Sequence, residues 1–138
     1  MAIPRSADAR LFYRCAILRF DEAEILLRAE HTTGAVYLAG YGVECMLKAL
    51  VLSVVPLART TAVLESFRGR RAHDYNWLLS QYRLIGGADT PREVTRAFTL
   101  VEGWSTDLRY VAGFKKERDA RAFIKACKSI MSWADGRF

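Results

Sequence analysis

The chain has 138 residues, 51% of them hydrophobic, with a formal net charge of +6. That length suits a single domain, 1–138, able to bury a core without metal or disulfide staples. Cys15, Cys45 and Cys127 are far apart, odd in number and lack CxxC spacing or an adjacent histidine, which excludes a cysteine metal centre and points to reduced buried thiols in a cytoplasmic protein.

The positive excess is clustered in RGRRAH at 68–73 and FKKERDARAFIKACK at 114–128. Arg70, Arg71, Lys115, Lys116 and Arg118 therefore form a candidate basic surface for phosphate, although a merely solvated surface gives the same pattern. The N-terminal MAIPRSADARLFYRC has no uninterrupted apolar run or small-residue cleavage site, so no secretion signal is expected. The one membrane candidate, 35–57, carries Glu44 and Lys48 at its centre, each costing roughly 2.5 to 3.5 kcal/mol on the insertion scale, so no membrane span is expected.

No stretch alternates apolar and polar residues cleanly, and the chain reads as all-α, a compact antiparallel bundle of four to five helices. A first helix is predicted from the N-cap Ser6 to about Glu30. Arg10, Arg14, Asp21 and Arg28 share one of its faces, leaving Leu11, Cys15, Leu18, Ile25 and Leu26 for the core. His31-Thr32-Thr33-Gly34 supplies a turn and a fresh cap. The second helix, about 33–54, is apolar nearly all round, which makes it the central one, and Pro56 ends it.

A short helical piece fits 57–66, followed by the basic loop 68–72. His73 or Asp74 opens a third helix, YNWLLSQYRL, which Gly86-Gly87 stops. Thr90-Pro91-Arg92-Glu93 predicts a capped helix start, with the fourth helix running to about Gly103. The last helix, 115–135, presents Ala120, Phe123, Ile124, Cys127, Ile130, Met131 and Ala134 on one face.

Two constellations could carry chemistry. In AVYLAGYGVECMLKAL, Tyr37, Tyr41, Glu44 and Lys48 project within a wedge of roughly 60° at 100° per residue. An i,i+4 ion pair beside partly buried tyrosines explains this stripe structurally; a ligand cleft or subunit interface explains it functionally. In WSTDLRY, Arg109 and Tyr110 offer a planar cation and a stacking face beside Trp104, and a local Asp107–Arg109 bond would produce the same letters. No Walker loop, Ser-His-Asp set, carboxylate dyad or metal cluster is visible, so neither cofactor nor metal is expected.

Taken in order, AVYLAGYGVECMLKALVL, HDYNWLL and WSTDLRY before a basic amphipathic helix resemble the HEPN domain family across about residues 10–135. Glu44, Leu47, Lys48 and Ala49 match its second-helix pattern, His73-Asp74 its third-helix opening and Arg109-Tyr110 its late motif. The resemblance implies a helical bundle, usually homodimeric. Some members are metal-independent ribonucleases with an R-x4-6-H motif, often toxins or defence effectors; others bind nucleotide or RNA without catalysis, often beside a small nucleotidyltransferase. After Arg109 this chain has no histidine, which departs from the nuclease pattern, yet Arg68 and His73 make one formal match before the third helix.

The leading expectation is thus a non-catalytic nucleotide- or RNA-binding module, the helical subunit of a toxin-antitoxin or nucleotidyltransferase-associated system. Tyr37 and Tyr41 would stack, Lys48 and Arg109 would meet phosphate, and Glu44 would hold Lys48 or Arg109. The first alternative is a metal-independent ribonuclease in which His73 moves protons and Arg68 stabilises the phosphorane. The second is an assembly subunit with no nucleotide ligand.

Overall fold

The computed structural model describes residues 3–138. Its elements are α1 (Ala7–Arg28), α2 (Thr32–Val54), α3 (Thr60–Ser66), α4 (Tyr75–Leu84), α5 (Arg92–Val101) and α6 (Glu117–Asp135), with 3-10 turns at Leu57–Arg59, Arg70–His73 and Thr106–Tyr110. The all-α expectation holds, and six helices stand where four to five were expected because the short piece after Pro56 forms a helix of its own. There is no strand among the described residues.

α1 starts as predicted, with the Ser6 side chain accepting from the Ala9 N–H at 3.1 Å. Its end has no glycine. Glu30 adopts φ 66°, and the Glu30 and His31 N–H groups donate back to the Leu27 and Leu26 carbonyls at 3.0 and 2.9 Å. This is a Schellman termination made with glutamate in the left-handed region, and it reverses the chain within three residues into α2.

The buried face of α1 differs from the expected one. Ala9, Ala16 and Ala23, spaced by seven, are buried together with Phe20, whereas Leu11, Leu18 and Ile25, also spaced by seven, are 60%, 50% and 56% exposed. Cys15 and Leu26 lie at the edge of the core. Close approach of α2 dictates this choice: a Cβ built on Gly42 would meet the Ala16 carbonyl oxygen at 3.2 Å. At that separation the heptad positions Ala9, Ala16 and Ala23 take small side chains and Phe20 is the one large side chain buried beside them, so size overrules hydrophobicity along the seam.

α2 is the central helix. Val36, Ala39, Val43, Met46, Leu47, Leu50 and Val51 are all at most 2% exposed, each large one contributing about 1.5 to 3 kcal/mol by leaving water. It is long and apolar enough to cross a bilayer, but 83% of its most apolar 18-residue stretch is buried inside the protein. Its threonines act differently from the expected cap: Thr32 and Thr33 make no capping bond and instead donate to the Lys115 and Gly113 carbonyls at 2.7 and 2.6 Å. They tie the segment before α6 to the start of α2.

Asp74 caps α4, accepting from the Asn76 and Trp77 N–H groups. At the next helix the expected capping box is absent. Pro91 is the N-cap, and Thr90 bonds the Thr95 hydroxyl at 2.8 Å instead. α6 buries Ala120, Ile124, Cys127, Ile130, Met131 and Ala134, with Phe123 partly buried, which matches the predicted face. Cys15, Cys45 and Cys127 are all unpaired, and burial pushes the Cys45 thiol up to about 12 and Cys127 higher still.

Candidate functional site

The polar stripe of α2 turns inward. Glu44 is fully buried, and its two oxygens serve two partners: Oε2 accepts from Lys48 Nζ at 2.8 Å and Oε1 from His73 Nδ1–H at 2.8 Å. Lys48 is 6% exposed, with its ammonium 5.8 and 5.5 Å from the rings of Phe12 and Phe67. The aromatic faces and the carboxylate together compensate its desolvation. Its charge is therefore committed inside the protein and is not presented to a phosphate.

His73 stands at the boundary between core and solvent. It closes the 3-10 turn Arg70–His73, and its side chain stays 43% exposed while Nδ1 is held by Glu44. A carboxylate acceptor places the proton on Nδ1, leaving Nε2 as the basic nitrogen of the neutral ring. Among the described residues Nε2 has no hydrogen-bond partner.

His73 lines a cleft of about 340 Å³ with Arg70, Asp74, Tyr75, Asn76, Phe98, Glu102, Trp104 and Ser105. The cleft therefore lies between the turn before α4 and the segment after α5. An aromatic stack forms its wall: Trp104 is parallel to Tyr75 (5.5 Å, 12°) and to Tyr37 (6.1 Å, 21°). Two bonds to α2 carbonyls lock this stack, from Trp104 Nε1 to Tyr37 O at 3.2 Å and from the Tyr75 hydroxyl to Gly40 O at 2.8 Å. Gly40 is required there, since a Cβ on it would sit 2.1 Å from Trp104 Nε1. Burial holds the Tyr75 hydroxyl neutral, well above the ordinary phenol range, and raises Tyr41 as well.

The structure separates the sequence candidates into three places. Glu44, Lys48 and His73 come together as one buried network opening on the cleft. Tyr37 and Tyr41 are half-buried and lie against each other, 6.2 Å between centroids, behind the cleft wall. Arg109 and Tyr110 are exposed on the turn Thr106–Tyr110, the guanidinium 5.2 Å from its neighbour's ring, and Glu44 does not hold Arg109. Lys115 and Lys116 are exposed on the segment leading into α6, and Arg118 is exposed in its first turn.

Arg68 is 80% exposed, approaches Glu65 at 3.9 Å and is not among the residues lining the cleft. Arg70 is the arginine that lines it; Arg71 is exposed. Residues missed in sequence are Arg70 as the arginine of the site, Phe98, Glu102 and Ser105. The Glu44–His73 bond spans 29 positions and has no local signature.

A family model described as HEPN domain matches residues 9–137. The chain belongs to the HEPN domain family. No curated protein and no solved structure gives a significant match. In this HEPN domain the second-helix glutamate and lysine and the histidine before α4 form one hydrogen-bonded unit, and the late Arg-Tyr pair is outside it.

Proposed function

We propose that this HEPN domain is a nucleotide- or RNA-binding module without catalysis of its own, taking a phosphate in the cleft between Arg70, His73 and Ser105. The observation that carries this reading is the Glu44–His73 bond. A fully buried carboxylate is costly to keep, and here it holds one exposed imidazole in a single orientation at the mouth of a cleft that also contains a guanidinium. Arg70 supplies a planar fork for phosphate oxygens, the Ser105 hydroxyl supplies a further donor, and Nε2 of His73 becomes one when it carries a proton. Glu102 and Asp74 also line the cleft, and Asp74 is engaged as the α4 cap. The exposed Arg109, Tyr110, Lys115, Lys116 and Arg118 would extend the contact along a single strand, Tyr110 by stacking. A homodimer and a nucleotidyltransferase-type partner belong to this reading.

The same bond favours a second reading, a metal-independent ribonuclease. A histidine whose Nδ1–H is held by a carboxylate and whose Nε2 is free is arranged to take a proton from a 2′-hydroxyl or give one to a leaving oxygen. Arg70 would stabilise the phosphorane in place of the Arg68 expected from the motif. Incubating a single-stranded RNA with the protein in EDTA, beside Arg68→Ala, Arg70→Ala and His73→Ala, separates the two. Intact RNA that is bound, and bound less well by Arg70→Ala and His73→Ala, supports the binding module. Cutting abolished by His73→Ala establishes the ribonuclease, and no binding at all overturns both.

A further inference from the structure

A second pocket shares Trp104 with the cleft. It holds about 380 Å³ and lies where the start of α2, the end of α5, the turn Thr106–Tyr110 and the start of α6 meet. Val36, Trp104, Leu108 and Phe123 give it apolar walls, and Leu100, which also lines it, is left 68% exposed. A Cβ built on Gly103, in the same lining, would meet nothing within 4 Å, so the space beside it is open. An apolar concavity with a few charged groups at fixed places has the form of a small-molecule site.

The charged groups here are Lys115 and Asp119. Both are exposed, and among the described residues neither side chain enters an ion pair, even with the other. A lysine four residues before an aspartate is the less favourable order on a helix, and Asp119 in the first turn of α6 interacts with the helix N-terminus instead. The backbone at Lys115 is nevertheless fixed. Its N–H donates to Thr33 Oγ1 at 3.1 Å and its carbonyl accepts from Thr32 Oγ1 at 2.7 Å. Both threonines are buried, so two hydroxyls removed from water hold the chain where this cation joins the pocket.

We propose that this pocket takes a free α-amino acid with a large apolar side chain, its carboxylate on Lys115, its ammonium on Asp119 and its side chain against Val36, Trp104 and Phe123. Charge complementarity selects this class. An apolar carboxylate lacking the ammonium brings a like charge to Asp119, and an apolar amine lacking the carboxylate brings one to Lys115. A residue inside a peptide carries neither charge. A ligand with both charges on one carbon beside its apolar group answers both side chains and covers Leu100. Because Lys115 and Asp119 are exposed, each contact is modest and the complex is weak and freely reversible. The proposal is independent of what the cleft binds; Lys115 also belongs to the basic segment near it, so the test is made without RNA.

Proton–nitrogen NMR of the indole N–H groups tests it, with the signals of Trp77 and Trp133 identified by Trp77→Phe and Trp133→Phe and that of Trp104 by elimination. Titration with phenylalanine at millimolar concentration is expected to move the Trp104 signal to saturation and to leave the other two in place. Phenylalaninamide, which lacks the carboxylate, and phenylpropionate, which lacks the ammonium, should each bind about tenfold more weakly. Lys115→Gln should remove the preference over phenylalaninamide, and Asp119→Asn the preference over phenylpropionate. Neither change touches the threonine bonds, which are to the Lys115 backbone. Ala122→Phe, at an exposed position of the lining, should fill the pocket and block the titration with an unchanged helical spectrum. A Trp104 signal that phenylalanine does not move, equal binding of the three compounds, or preferences unaltered in Lys115→Gln and Asp119→Asn would overturn the assignment.

Discussion

Glu44 accepts a hydrogen bond from His73 across 2.8 Å, joining the middle of α2 to the turn before α4. The same carboxylate holds Lys48 at 2.8 Å, so one buried group fixes two side chains. Removing either side of a buried pair strands the other. Glu44→Gln or Lys48→Met alone should each cost about 3 to 5 kcal/mol in urea unfolding, while the double variant should recover part of that loss. Strict additivity of the two changes would show that the pair is not coupled.

The cleft wall depends on Gly40. With a methyl group placed 2.1 Å from Trp104 Nε1, Gly40→Ala should push the indole off the Tyr37–Tyr75 stack and cost about 1 to 3 kcal/mol. A shifted tryptophan emission with reduced stability is the expected outcome. Unchanged emission and stability would mean that the stack tolerates displacement.

At Glu30 the backbone occupies φ 66°, where a side chain is strained and glycine is not. Glu30→Gly should therefore stabilise the α1–α2 turn by about 0.5 to 1 kcal/mol, raising Tm by a few degrees. A lower Tm would place the strain elsewhere.

Alkaline sensitivity follows from groups kept neutral by burial. Tyr13 is raised to about 12 by burial and by its 2.7 Å bond to Asp135, Cys45 to about 12, and Tyr41, Tyr75 and Cys127 are raised too. Each folded value lies above the ordinary one, 9.0 for a thiol and 10.0 for a phenol. Their stabilisation is thus fully present below about pH 9 and lost as pH rises toward 12. The urea midpoint should fall steeply across that window, and less steeply in Tyr13→Phe; a flat midpoint would contradict the assignment.

Much of this was legible in the letters. The Ser6 cap, the Asp74 start, the Gly86-Gly87 stop and the apolar α6 face are local features, and local periodicity and capping chemistry suffice to read them. The α1 face was not, because both its alanine heptad and its leucine heptad are apolar. Which one is buried depends on how closely α2 approaches, and that distance is set by Gly42 in another helix. In the site, the Glu44–Lys48 pair was visible as an i,i+4 step, whereas its bond to His73 depends on tertiary folding. Arg70 rather than Arg68 lines the cleft for a related reason. The 3-10 turn Arg70–His73 carries Arg70 to the cleft, while Arg68, before that turn, lies toward Glu65.

That contrast between two arginines gives the most direct test of the phosphate-binding cleft. The measurement is a fluorescence anisotropy titration of a labelled single-stranded RNA in EDTA with wild type, Arg68→Ala, Arg70→Ala and His73→Ala. Arg70→Ala and His73→Ala should each weaken binding by about tenfold, the loss of one charge-assisted contact, with Arg68→Ala close to wild type. Equal affinity for all four proteins, or a loss confined to Arg68→Ala, would contradict the assignment of the cleft.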